Sequence, residues 1–196
     1  MKDIHNILNI KSNNIKPGRG KILISEPLMG DFYFKRSVVL LAEHNEEGSF
    51  GLIMNKPLSA KFNEIVRDFP DFETNLYLGG PVQSNNLFFI HTLGEKIEGS
   101  EEIIKGIYWG GDIEQIKDMI KLSMISPDEI RFYIGYSGWA GNQLDGELKK
   151  NSWLVSRIRA GKLLKANPEE LWDMSIAAMG GEYAHWTNFP SDPTLN

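Results

Sequence analysis

Short blocks in which hydrophobic and polar positions alternate with a strand-like period run through much of this chain, and blocks with helical spacing interrupt them irregularly. Lys21 to Ser25 reads as a short strand, left through the turn Glu26-Pro27-Leu28-Met29-Gly30. Ser37 to His44 and Ser49 to Asn55 flank Asn45-Glu46-Glu47-Gly48, a loop whose glycine can take positive φ, and together predict a hairpin. The first arm is apolar on both faces at its centre, as a central buried strand requires. Leu76 to Leu78, Leu87 to Thr92, Ile107 to Trp109 and Ile130 to Tyr136 supply further strands, and the polar segment Glu95 to Glu102 reads as a surface loop.

Helical spacing appears in three places. Phe62, Ile65, Val66 and Phe69 predict an amphipathic helix from an N-cap at Ser59 to just before Pro70. Asp112 caps a second helix reaching about Leu122, with Gln115 as its capping-box partner. Asn167-Pro168-Glu169-Glu170 opens a third, which buries Leu171, Trp172, Ser175 or Ile176, and Met179, and stops at Gly180-Gly181. The stretch from Phe132 to Val155 organises the rest: an aromatic apolar run, a break at Ser137-Gly138-Trp139-Ala140-Gly141, then a polar helix start before Trp153. Strands with irregularly intercalated helices predict an α+β fold with a largely antiparallel or mixed sheet.

The length of 196 residues and an apolar content of 41% suit one sizeable core, so a single domain is expected over residues 18 to 183. Residues 1 to 17 read as an N-terminal arm with weak helical spacing at Ile4, Ile7 and Leu8, and 184 to 196 as a loose tail. The net charge of -5 gives no general basic field, so direct nucleic-acid binding is not expected. The chain has no cysteine, which excludes disulfides, thiolate metal sites and cysteine nucleophiles and fits a reducing cytoplasm. Its first residues lack a signal-peptide pattern, and nowhere do about 18 apolar residues run together, so no membrane association is expected.

Candidate chemistry centres on the break after Tyr136. Ser137 stands where a nucleophile elbow would place a serine, but Trp139 occupies the position of the second glycine that such an elbow requires. Backbone N–H groups at Gly138 and Gly141 could cradle an anion. Against this, Asp145 and Glu147 already bring negative charge to that helix start, and no phosphate-loop pattern is present. Gly79-Gly80-Pro81 and Gly110-Gly111-Asp112 read as strand exits. His5, His44, His91 and His185 lack the spacing of metal ligands, and no metal or cofactor is expected. Lys149, Lys150, Arg157, Arg159, Lys162 and Lys165 form a basic stretch around Trp153, read as a solvated face.

Several motifs taken together resemble the AlgH family of bacterial proteins, including its YqgE-like members: Gly20-Lys21-Ile22-Leu23-Ile24-Ser25, Gly51-Leu52-Ile53-Met54-Asn55-Lys56-Pro57, Leu78-Gly79-Gly80-Pro81-Val82, Tyr136-Ser137-Gly138-Trp139 with Gln143-Leu144, and Asn151-Ser152-Trp153-Leu154-Val155. They span residues about 18 to 180 in the family's order. The resemblance implies one α+β domain whose branched sheet folds into a pseudo-barrel with flanking helices. It also implies the family's label of transcriptional regulator, drawn from a proposed role in alginate synthesis and read here as indirect. Two places depart from the family's pattern. Gln83-Ser84-Asn85-Asn86 replaces an acidic-arginine turn, and Ala140-Gly141-Asn142 replaces a turn that commonly carries glycine and proline.

The expected function is therefore a binding or regulatory module for a protein or small-molecule partner. Its contact surface is expected around Ser137, Gly138, Trp139, Gln143 and Trp153, with Gly79, Gly80 and Pro81 adjoining. The alternative is a hydrolase-like enzyme using Ser137 or a carboxylate such as Glu147 in a pocket at the 135–147 turn, with His91 as base.

Overall fold

The computed structural model describes residues 11–189, apart from the side chain of Lys162. The weak helical spacing at Ile4, Ile7 and Leu8 falls outside the described residues. Strand β1 (Lys21–Ser25) lies between β10 (Trp153–Arg157) and β2 (Val38–Asn45), and β2 makes the expected hairpin with β3 (Gly48–Ile53). Asn45 closes that hairpin, its Oδ1 accepting from the N–H groups of Glu47 and Gly48.

The longest strand, β9 (Ile130–Ala140), joins everything else. Antiparallel to it run β3 and β6 (Val82–His91), while β5 (Asn75–Leu78) runs parallel to its first half and carries β4 (Pro57–Lys61) beyond. β8 (Ile107–Trp109) and β7 (Glu101–Ile104) extend the sheet past β6. The result is an α+β fold built on a branched, mostly antiparallel sheet that curls into a half-barrel.

Curling brings β7 back towards the start of β1. Gly20 sits at that approach with φ 77, and a Cβ there would lie 2.7 Å from the Ile103 carbonyl oxygen. Arg19 spans the same seam, donating to the Glu102 carbonyl at 3.1 Å and pairing with Glu101 at 3.2 Å. At the other end of the sheet, β10 pairs among the described residues with β1 alone. Asn13 covers part of its other edge, its side-chain amide donating to the Val155 carbonyl and accepting from the Val155 N–H at 3.2 Å.

Inside the curl, Ile22, Ile24, Leu40, Leu52, Ile90 and Tyr133 form the central core. Helices α4 (Ala160–Lys165) and α5 (Leu171–Met179) and the 3₁₀ helix Gly181–Asn188 pack against it through Leu163, Trp172, Ile176 and Trp186. Trp186 is 1% exposed, so the packed chain continues beyond residue 183, into the segment whose sequence reads as a loose tail. A second cluster lies under α2 (Ile113–Lys121), whose N-cap Asp112 accepts from the Glu114 and Gln115 N–H groups as expected, while the Gln115 side chain, expected to close a capping box, instead accepts from Glu98 N–H and donates to Lys96 O. A third lies on the outer side of β1, β2 and β9 under α3 (Gln143–Lys149). Among the described residues, no helix is long and apolar enough to cross a membrane.

Two expectations are corrected. The helix expected from Ser59 to Phe69 is a strand, β4, followed by the single turn α1 (Phe62–Ile65). Phe62, Phe69 and Phe72 all reach the Phe132 ring, at centroid distances of 4.4, 5.4 and 6.3 Å, and no straight helix can place three side chains of that span around one ring. Asn63 then serves the released backbone, accepting from Phe72 N–H and donating to Pro70 O. The break expected at Ser137 to Gly141 is also absent as far as Ala140, because β9 continues to that residue. Gly135, at φ 67, takes the irregularity, and the strand runs on by changing partners from β5 and β6 to β3.

Candidate functional site

Continuation of β9 through Ala140 decides where the expected site residues point, because successive strand residues face opposite sides. Tyr136 and Gly138 face the inner, concave side. Ser137 and Trp139 face the outer side, towards α3.

On the outer side, Trp139 and Trp153 are 5% and 1% exposed and meet edge to face at 6.0 Å. Phe34 covers both, at 5.9 Å from Trp139 and 5.4 Å from Trp153. Each indole N–H requires an acceptor once buried. Glu147 supplies it: one carboxylate oxygen accepts from Trp139 Nε1 at 2.9 Å and from Trp153 Nε1 at 2.8 Å. The other accepts from the Gln143 side-chain amide at 3.0 Å, and Gln143 Oε1 accepts in turn from the Ala140 N–H. Three residues expected at the site, Trp139, Gln143 and Trp153, are thus brought together, but through a carboxylate that sequence reasoning assigned to helix electrostatics or to catalysis.

Ser137 is fully buried, and its hydroxyl donates to the Gly79 carbonyl at 3.0 Å. The same carbonyl accepts from the Ile53 N–H, and Gly79 N–H donates to Ile134 O. Gly80 is pressed against β9 so closely that a Cβ would stand 2.3 Å from the Tyr136 carbonyl carbon, and its φ of 152 favours glycine. Gly79, Gly80 and Ser137 therefore lock the β5 exit to β9, and only Pro81 of that group is exposed.

His91 lies elsewhere. It pairs with Ile130 at the opposite end of β9, roughly 20 Å from Ser137 at the usual rise per strand residue. Its Nδ1 accepts from the Leu93 N–H and its Nε2 donates to the Gly110 carbonyl at 3.0 Å, which fixes a neutral tautomer. Burial holds its pKa below the ordinary histidine value, with the Gly110 bond working in the other direction. Among the described residues no carboxylate or imidazole is hydrogen bonded to Ser137, and no group of acidic or histidine side chains could hold a metal ion.

The inner side near the same residues is different. Phe50, Tyr136, Phe88 and Trp109, all half-buried, close into a ring of contacts with centroid separations of 5.7, 5.5, 5.6 and 4.7 Å. Phe50 pairs with Gly138 across β3 and β9, and the missing side chain leaves room for the Tyr136 ring. Beside this ring lies a cleft of about 380 Å³, bounded by Phe50, Tyr136, Gly138 and Ala140 and rimmed by Glu43 and Glu47 of the hairpin. Among the described residues no lysine or arginine lines it. Sequence reasoning named Gly138 but missed the four aromatics, since they come from four separate strands and share no local spacing.

A further cleft, about 480 Å³, opens between β5 and the loop before β9. Its charges are already engaged: Arg131 stacks over Tyr77 at 4.4 Å and donates to the Met54 and Leu164 carbonyls, and Lys61 pairs with Glu73 at 3.6 Å.

The sequence pattern of a family described as AlgH-like matches residues 22–184. A UPF0301 protein of Bacteroides thetaiotaomicron is 46% identical over 191 residues, 97% of this chain and 97% of that protein. One from Parabacteroides distasonis is 42% identical over the whole of both chains. Among solved structures, the AlgH protein from Pseudomonas aeruginosa matches with a TM-score of 0.68 and 27% identity, covering 90% of this chain and 98% of that one. A protein from Corynebacterium diphtheriae matches with a TM-score of 0.74 at 21% identity, over 93% and 97% of the two chains, a likeness of fold alone.

Proposed function

The chain belongs to the AlgH-like family, and we propose that it serves as a binding module whose contact surface is the inner aromatic face of β9. The observation that carries this reading is the ring of Phe50, Tyr136, Phe88 and Trp109, left half-exposed beside a cleft with an acidic rim. Large, rigid rings that are already in contact lose little freedom on binding, which is what an interface anchor needs. Aromatic faces next to the carboxylates of Glu43 and Glu47 favour a cationic side chain, above all a guanidinium that stacks and pairs at once. The partner is accordingly a protein segment bearing arginine.

On this reading Trp139, Gln143 and Trp153 are the stiff backing of the surface, and Gly138 is the expected site residue that lies on it. A regulatory role would be indirect, through a protein partner, in keeping with the net charge of -5. The cysteine-free sequence supports work in a reducing cytoplasm.

The test is an NMR titration of the isotope-labelled chain with a short peptide carrying two arginines, and with its glutamate counterpart. Saturable shifts at Phe50, Tyr136, Gly138 and Trp109, weakened by salt and by Glu43→Gln with Glu47→Gln, are the expected result. Equal shifts with the glutamate peptide, or none that saturate, would overturn the reading.

A further inference from the structure

The aromatic face suits an arginine-bearing segment, and the chain itself carries one. Every arginine of the sequence lies within the described residues. Arg19 pairs with Glu101, Arg36 pairs with Asp173, and Arg131 stacks over Tyr77 while serving two carbonyls. Arg67 is exposed between Glu64 and Asp68, whose opposite charges are exposed beside it. Arg157 and Arg159 differ. Both are exposed, and among the described residues neither guanidinium has an ion pair, a hydrogen bond or a ring to stack on.

The chain around these two arginines forms a basic corner. Arg157 pairs with Lys21 across β1, and Lys21 reaches the Lys16 carbonyl. Asn13, held on Val155, leads Ile15 to the same place, where it is 44% exposed. A cationic surface around an exposed aliphatic side chain complements an aromatic cleft with a carboxylate rim. On the cleft side, Glu43, Glu46 and Glu47 are exposed at the hairpin tip, and among the described residues no lysine or arginine pairs with them.

The two sets of unmatched charge lie at one end of the sheet, where the Gly20 N–H bonds to the Leu41 carbonyl two residues before Glu43. Their faces are opposite. Glu43 pairs with Phe50 and so shares the inner side, whereas Ser156 pairs with the core residue Ile22, which turns Arg157 to the outer side. The sheet therefore stands between Arg157 and the cleft of its own chain.

We infer that the partner of the aromatic face is a second copy of this chain, docked through its Arg157-Ile158-Arg159 segment. The guanidinium groups stack on the aromatic ring and pair with Glu43 and Glu47, and Ile15 packs beside them. The inference rests on the reading of that face as an arginine site. Cleft and corner are different surfaces, so the contact is head to tail. A pair of copies keeps one cleft and one corner free, and assembly goes on by addition or closes into a ring. Part of the basic stretch that reads in the sequence as a solvated face thus becomes a contact.

Sedimentation velocity of the full chain from about 10 µM to about 1 mM, the range of weak specific contacts, tests the inference. The weight-average mass should rise with concentration at low salt, and high salt should weaken the association about tenfold. Arg157→Gln with Arg159→Gln, and Glu43→Gln with Glu47→Gln, all at exposed positions, should each give a monomer. Mixed in equal amounts, the first variant supplies the cleft and the second the corner, so dimers should form and grow no further. A wild-type chain that stays monomeric, association that survives both pairs of substitutions, or a mixture that stays monomeric or grows past the dimer would each overturn the inference. An arginine peptide that binds the aromatic face of a chain that stays monomeric overturns this inference and leaves the reading of that face standing, so the two can fail separately.

Discussion

On the outer side of β9, Trp139 and Trp153 are buried and their N–H groups end on one carboxylate. On the inner side, Phe50, Tyr136, Phe88 and Trp109 touch one another and stay half-exposed. Residue types on the two sides are alike, and the strand between them is shared. What differs is the partner available: α3 brings Glu147 over the tryptophans, and among the described residues no helix crosses the inner ring at Gly138. Aromatic content alone therefore does not mark a binding surface. The polar edges of the tryptophan and tyrosine rings do, according to whether the protein itself has used them.

Substitutions graded by size can break this contrast. Gly80→Ala should have the largest effect, since its Cβ would meet the Tyr136 and Ser137 backbone that both sides depend on. A loss of about 4 kcal/mol or complete unfolding is expected from such a clash at a glycine-only conformation, read as the urea midpoint. Glu147→Ala comes next, because it strands two buried indole donors. The expected cost is about 3 kcal/mol, and Glu147→Gln, which keeps an acceptor, should lose less than half of that. Equal losses from the two would show that Glu147 acts by packing alone.

Tyr136→Ala should sharpen the contrast from the other side. Its ring is only half-buried, so about 1–2 kcal/mol of stability is expected to go, while binding of the arginine peptide disappears. A stability loss as large as that of Trp139→Ala, for which about 3–5 kcal/mol is expected, would make the inner ring a core element rather than a surface.

The smallest effect is one of pH at His91, which belongs to neither side. Its folded pKa is depressed, so below about pH 6.5 the unfolded chain binds a proton that the folded chain refuses. Stability should fall as pH drops through that window, with a slope of at most about 1.4 kcal/mol per pH unit. Chemical denaturation at pH 7.5 and 5.5 measures it, and His91→Gln should flatten the difference.

Elements whose signals are local were legible in the sequence. The β2–β3 hairpin follows from two apolar runs around the loop Asn45 to Gly48, and α2 follows from its N-cap Asp112, because turn and cap chemistry acts over three or four residues. Gln115 is the exception, since its side chain reaches Glu98 and Lys96 across the fold. The segment from Ser59 to Phe69 misled, since its helical spacing competes with a long-range demand: Phe132, far along the chain, gathers Phe62, Phe69 and Phe72 around itself. The site failed to show for the same reason. Trp139, Gln143 and Trp153 stand out as residues, but nothing in their spacing says that Glu147 joins them or that Tyr136 faces the other way. That depends on β9 running through Gly135 without ending, a result of pairing with β3.

Asn13 has a consequence for how copies of the protein behave when crowded. Among the described residues no strand pairs with the outer rim of β10, a row of backbone groups onto which another chain's strand could add, the first step of fibre growth. By matching both polar groups of Val155 with one side-chain amide, Asn13 occupies the docking step of such a strand and offers it no continuation. A single side chain thus works as a stopper against self-templating, at a position where sequence alone shows only turn-rich linker.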